Sequence, residues 1–170
     1  MILGMSIPTF TLVHVILSLV GIATGLVAML AMTRSRLLPG WTLVFLLTTI
    51  LTSVTGYFFP VPKILPSHIV GAISLAVLAV AVLALYRYGA TGHWRWIYAV
   101  SAVVSLYLNV FVLVVQGFLK IAPLKALAPT QSEPPFAVAQ GIALLAFVVI
   151  GYLAVRRFHP EVAQHKLRPA

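Results

Sequence analysis

Two histidines carry most of the chemistry available inside the apolar runs of this chain. His14 and His68 each lie in an otherwise hydrophobic stretch, and an imidazole there can ligate a metal, pass a proton or hold a hydrogen-bonded ring. Thr55, Tyr57, Asn109, Gln116 and Gln140 add hydroxyls and amides to the same runs, and Gln131 and Glu133 stand in a Pro-rich stretch between two of them. Cysteine is absent, which excludes disulfides, thiolate metal sites and thiol catalysis. The sequence has no nucleotide-binding loop, no nucleophile motif and no paired intramembrane carboxylates, so phosphoryl transfer and hydrolysis are disfavoured.

The elements that position these groups follow from composition. Of the 170 residues, 62% are hydrophobic and only 8% charged, with a mean hydropathy of +1.11. A soluble domain of this length has too little interior for that much apolar surface, so lipid must be the solvent for most of it. Five apolar runs are separated by charged and Pro-rich punctuation, at about residues 8–32, 41–59, 67–86, 96–119 and 136–155. At about 1.5 Å of rise per residue, each run crosses a hydrocarbon core of about 30 Å once. Only a helix satisfies its own backbone there, so the expected fold is all-α, a polytopic membrane bundle of five transmembrane helices in a single domain. No basic segment precedes the first run, no small-residue cleavage site follows it, and it is too long for a signal-peptide core, so it reads as a retained helix.

Orientation comes from the basic residues. Arg34, Arg36, Arg87, Arg95, Arg156, Arg157, Lys166 and Arg168 fall on one side of the five spans, whereas Lys63, Lys120 and Lys125 fall on the other. That asymmetry places the N-terminus outside and residues 156–170 in a cytoplasmic tail. Trp41, Trp94, Trp96, Tyr86 and Tyr88 cluster on the arginine side as interfacial anchors. The net charge of +9 is therefore a topology signal, and nucleic acid is not an expected partner. Spans one and two, and spans three and four, read as two hairpins, each with a histidine near its outer end, a weak internal repeat.

By helical rise, His14 lies ~9 Å below the outer end of its span, His68 ~3 Å and Asn109 ~16 Å. The strongly polar side chains thus occupy the outer half and the midplane, with only small hydroxyls such as Thr33, Thr48 and Ser101 below. His14, Ser18, Gly21 and Gly25 share one helix face; Ser101, Ser105, Asn109 and Gln116 form a second stripe, and Thr48, Thr52 and Thr55 a third. Small and polar residues in membrane helices face partner helices. The stripes are expected to converge on an outward-facing pocket, where Gly21 and Gly71 leave room for a flat group beside the imidazoles. The Pro-rich loop before span five is expected to be stiff and to lie on the bilayer. Glu133 sits there at a helix start with Thr130 or Ser132 as cap, or serves as the carboxylate of a lid.

Four readings of the histidine pair stay open. His14 and His68 can be interhelical hydrogen-bond partners in a non-catalytic accessory subunit or assembly factor of a larger membrane complex, or in a homo-oligomer. They can be the axial ligands of one b-type haem, with Lys63, Lys120 and Lys125 near its propionates. A histidine and an amide from Gln116, Gln140 or Asn109 can hold a quinone. His14, His68 and Glu133 can hold a metal ion. His93, His159 and His165 fall in cytoplasmic segments, which leaves too few histidines for two stacked haems. A channel or transporter has little to work with, one midplane amide and no intramembrane carboxylate or lysine, unless it is an oligomer.

The stretches Thr52-Ser53-Val54-Thr55-Gly56-Tyr57-Phe58-Phe59, Pro66-Ser67-His68-Ile69-Val70-Gly71 and Ala128-Pro129-Thr130-Gln131-Ser132-Glu133-Pro134-Pro135-Phe136 resemble a family of small uncharacterised bacterial inner-membrane proteins. The likeness covers most of the chain, implies a bacterial cytoplasmic (inner) membrane, and brings no established activity with it. In general plan the chain is also similar to the cytochrome b561-like four-helix bundles, which hold imidazoles inside the bundle. It departs from them in its smaller number of histidines.

Overall fold

In the computed structural model, residues 1–60 and 66–160 are described. Lys63, His165, Lys166 and Arg168, and with them most of the expected tail, lie outside the described residues. The described chain is helical, apart from a single bridge between Ile2 and Met5. Its helices are α1 (Ile7–Met32), α2 (Pro39–Thr55), α3 (Pro66–Val82), α4 (His93–Lys120), α5 (Ala122–Leu127) and α6 (Pro134–Arg157). A 3-10 turn, Gly56–Phe58, extends α2, and a π turn, Leu83–Arg87, extends α3. With those extensions, five helices are long and apolar enough to cross a membrane, at the positions the hydropathy runs predict.

Local chemistry explains the ends. Ser6 caps α1 by accepting from the Thr9 N–H at 3.3 Å, and Pro8 occupies the first turn, where its missing N–H costs nothing. Proline likewise opens α2, α3 and α6. Phe59 is extended (ψ 130°), as the residue before Pro60 must be, and that stops the second span. Span four begins at His93, a turn earlier than its apolar run. The loop expected to be stiff contains the short α5, with Pro123 in its first turn.

α1 packs along α2, α3 along α4, and each hairpin touches the other through α2–α3 and α1–α4 contacts; α6 lies outside, on α4 and α1. α1 and α3 are therefore diagonal to one another. Packing is uneven along the bundle. Met29, Met32, Phe45, Leu46, Leu78, Tyr98 and Leu106 form a closed core in the half that carries the arginines, where Ala81, Ala84, Ala99, Ala102 and Ala154 let the backbones approach. The outer faces stay apolar, with Leu12, Val138, Ile142 and Leu145 exposed, a surface of the kind that meets lipid or another apolar partner.

The arginine end is tied by hydrogen bonds. Arg95 Nη1 donates to the Phe158 carbonyl at 2.6 Å, to the Val155 carbonyl at 3.3 Å and to His159 Nε2 at 3.0 Å. Ser35, in a left-handed backbone conformation (φ 55°), accepts from the His159 N–H at 2.9 Å and donates to the His159 carbonyl at 3.2 Å. Charge and donors thus meet the carboxyl end of α6, where free carbonyls and the helix dipole favour a cation. Of the expected aromatic anchors Trp41, Tyr86, Tyr88 and Trp96 are exposed, whereas Trp94 turns inward and stacks on Tyr88 at 3.9 Å.

Candidate functional site

The structure distributes the polar residues over three separate groups. The first surrounds His14, which is half-buried beside the last turn of α2. Its Nδ1 lies 2.8 Å from Thr55 Oγ1, and its ring meets Phe59 edge-on at 5.3 Å. Thr55 Oγ1 also lies 2.7 Å from the Leu51 carbonyl, to which it donates its only proton. In the neutral imidazole Nδ1 is then the donor to Thr55, which leaves the lone pair on Nε2. A hydrogen bond at one ring nitrogen that frees the other is the arrangement by which ligating histidines are oriented.

The second group surrounds His68. The Tyr57 hydroxyl donates to the His68 carbonyl at 2.7 Å, and the two rings lie 5.5 Å apart. A methyl placed on Gly71 would stand 3.3 Å from the Tyr57 hydroxyl. The room expected beside His68 is therefore filled by Tyr57. Because α1 and α3 are diagonal, each histidine turns to its own partner on the end of α2, Thr55 and Phe59 for His14 and Tyr57 for His68. Among the described residues no group of three His, Asp or Glu side chains is placed to hold a metal ion, so the set of His14, His68 and Glu133 is not assembled.

The third group lies at mid-bundle. Ser18 donates to Asn109 Oδ1 at 2.8 Å, joining α1 to α4. Gly21 lies against Thr48, Thr49 and Asn109, while Gly25 lies against Phe45 and Leu106. The glycine face of α1 thus admits α2 and α4 rather than a flat ligand. Gln116, on the stripe of Asn109, is exposed.

The loop residues bind the bundle instead of opening onto it. Gln131, in a left-handed conformation (φ 60°), donates from Nε2 to the Val115 carbonyl at 2.9 Å, and Gln140 Nε2 donates to the Phe111 carbonyl at 3.2 Å. Glu133 is itself the N-cap residue of α6, and no side chain caps that helix. Its carboxylate turns back to accept from the Thr130 hydroxyl at 2.9 Å and from the N–H groups of Thr130 and Ser132 at 3.2 and 3.1 Å. That corrects the expected cap, because Pro134 and Pro135 remove the first N–H donors that Thr130 or Ser132 would meet. Desolvation acts against the carboxylate, but the bonds from Thr130 and Ser132 prevail and hold its pKa below the ordinary value. A depressed folded pKa contributes stability above the unfolded pKa and loses it as pH falls through the folded one. Protection of the Thr130 and Ser132 amides against hydrogen exchange is accordingly expected to fall on acidification through that range. Glu133→Gln is expected to lower it at neutral pH, and a pH-independent profile in the native protein would contradict this.

No protein-family model, curated protein or solved structure matches the chain.

A cavity of about 390 Å³ lies far from the histidines, between α4 and α6, lined by Val103, Tyr107, Leu144, Phe147, Gly151 and Tyr152. Its apolar wall suits an acyl chain and has no amide or imidazole to orient a polar head group. Sequence reasoning missed Thr49, one position off the threonine stripe, and the Ser53–Ser74 hydroxyl pair at 3.2 Å between α2 and α3. It also missed Arg95, whose partners lie some sixty residues away along the chain.

Proposed function

We propose that the chain is a non-catalytic scaffold in a bacterial cytoplasmic membrane, an accessory subunit or assembly factor of a larger complex or a homo-oligomer. Its N-terminus is outside and its tail cytoplasmic, as the arginine distribution supports. One observation carries the reading. Polar side chains of the apolar helices form bonds from one helix to another: His14 with Thr55, Ser18 with Asn109, Ser53 with Ser74 and Gln140 with the Phe111 carbonyl. Such bonds contribute about 0.6 kcal/mol each on average and select which helices pack. The apolar flanks of α3 and α6 remain exposed to lipid or to another transmembrane partner. The test is purification in mild detergent with mass measurement. The expected result is a colourless protein that co-purifies with a defined membrane partner or self-associates. His14→Gln, which keeps a donor for Thr55, is expected to fold and associate unchanged. A Soret band in the native protein that this variant loses would overturn the reading.

A second reading draws support from the free lone pair of His14 Nε2. A haem iron or a quinol hydroxyl is the kind of group that engages such a nitrogen, with the Nδ1 bond to Thr55 fixing the ring. Haem b supplies one-electron transfer when bound. Ligation by both histidines requires the His14 ring to leave Phe59 and the His68 ring to leave Tyr57, so a His14-centred site fits these residues better. An absorption spectrum and quinone analysis of a lipid extract, with and without Gln140→Leu, separate the two ligands.

A further inference from the structure

At mid-bundle three polar atoms stand around the bare face of Gly21. A methyl group placed there would lie 3.0 Å from Thr49 Oγ1, 3.1 Å from Thr48 Oγ1 and 3.3 Å from Asn109 Nδ2. Asn109 Oδ1 is used by Ser18, and the Thr48 proton goes to the Val44 carbonyl at 2.7 Å. The amide nitrogen of Asn109 and the hydroxyl of Thr49 have no protein partner, although the two residues are only 8% and 1% exposed. Lipid cannot satisfy them, and in this conformation the helical backbone does not. Buried donors and acceptors left in that condition cost about 1–3 kcal/mol each.

We propose that Asn109 and Thr49 bind a single buried water molecule at the centre of the bundle, reached from the histidine end. The stereochemistry favours water over other small polar occupants. Its oxygen accepts from Asn109 Nδ2 and from the Thr49 hydroxyl, and one of its protons goes to a remaining lone pair of Thr48 Oγ1. Three bonds are the usual complement of a buried water. A sodium ion would face the N–H side of the Asn109 amide and is repelled by it. Access follows the packing. His14 and Ser18 are half-buried on the face of α1 that leads to Asn109. On the arginine side of the site, Phe45 and Leu106, both fully buried, close against Gly25 and make a dry floor. The site is distinct from the Nε2 position of His14 and holds whether or not the scaffold reading does.

Asn109 is the only asparagine in the chain, and there is no cysteine, so two clean probes exist. In protein labelled with 15N-asparagine, in deuterated detergent, the single side-chain amide is expected to show a dipolar cross-peak to water in a rotating-frame experiment. Absence of that peak overturns the proposal. The near-isosteric change Thr49→Val gives an independent sign. It lowers the melting temperature if Thr49 holds the water and raises it if the hydroxyl is an orphan, and a rise overturns the proposal. Single-cysteine variants test the route. Ser18→Cys is expected to react with a water-soluble methanethiosulfonate, and Ser105→Cys, beneath the floor, to stay unmodified. The reverse pattern, or equal reaction at both, overturns access from the histidine end.

Discussion

Gly25→Val is expected to be among the most damaging single changes in the bundle. A β-carbon at Gly25 would lie 2.7 Å from both Leu106 Cδ1 and Phe45 Cδ2, and 3.0 Å from Phe45 Cε2. Leu106 can turn its terminal methyl, but the Phe45 ring is fully buried and held by its neighbours. α1 would have to move away from α2 and α4 together, along the seam where the two hairpins meet. Overpacking of this kind costs about 1–3 kcal/mol, and valine, the larger substituent, belongs at the upper end. Within a bilayer the loss is one of close packing, because lipid solvates a displaced apolar face about as well as another helix does. Gly141→Val on α6 is the matching control, since nothing lies within 4 Å of a β-carbon there. Thermal or SDS-induced unfolding of the two variants in detergent should separate them clearly. Equal stabilities would show that the contact at Gly25 does not limit helix approach.

Arg95→Met is expected to release the carboxyl end of α6. Methionine keeps most of the apolar stem and removes the donors that meet the Phe158 and Val155 carbonyls and His159 Nε2. Hydrogen bonds from a charged group are worth about 1.5–3 kcal/mol, and the interaction with the helix dipole adds about 0.3–1 kcal/mol. Hydrogen exchange in the last turn of α6 should accelerate while mid-helix amides such as those near Gly141 stay protected. Arg95→Lys should restore part of the effect, since it keeps the charge and loses the planar fork. Unchanged exchange in that turn would mean that Phe158, fully buried beside Tyr98, anchors the end unaided.

The two substitutions probe different kinds of information in the chain. That Gly21 and Gly25 face other helices is legible from their spacing with His14 and Ser18, because small residues one turn apart define a face that lipid has no reason to prefer. Which atoms fill that face is not legible. A ligand ring, a tyrosine and a neighbouring helix all leave the same pattern of small residues. At His68 the occupant is Tyr57, and at Gly25 it is Phe45 with Leu106. Arg95 illustrates the opposite limit. As a basic residue beside Trp94 and Trp96 it reads as a topology signal, and nothing local reports that it will reach carbonyls at the far end of the chain.

From the sequence alone came the five apolar helices, their proline-punctuated ends and the segregation of arginine from the histidines of the apolar runs. Those features are local or additive: hydropathy over a span, a capping residue, a count of charges. The tertiary structure alone decided that His14 meets Thr55 and Phe59 while His68 meets Tyr57, since α1 and α3 take diagonal places. It also decided that Asn109 and Thr49 meet at the centre with hydrogen-bonding capacity to spare. Pairing of that kind depends on the rotation and height of three helices at once, and no periodicity within one helix encodes it.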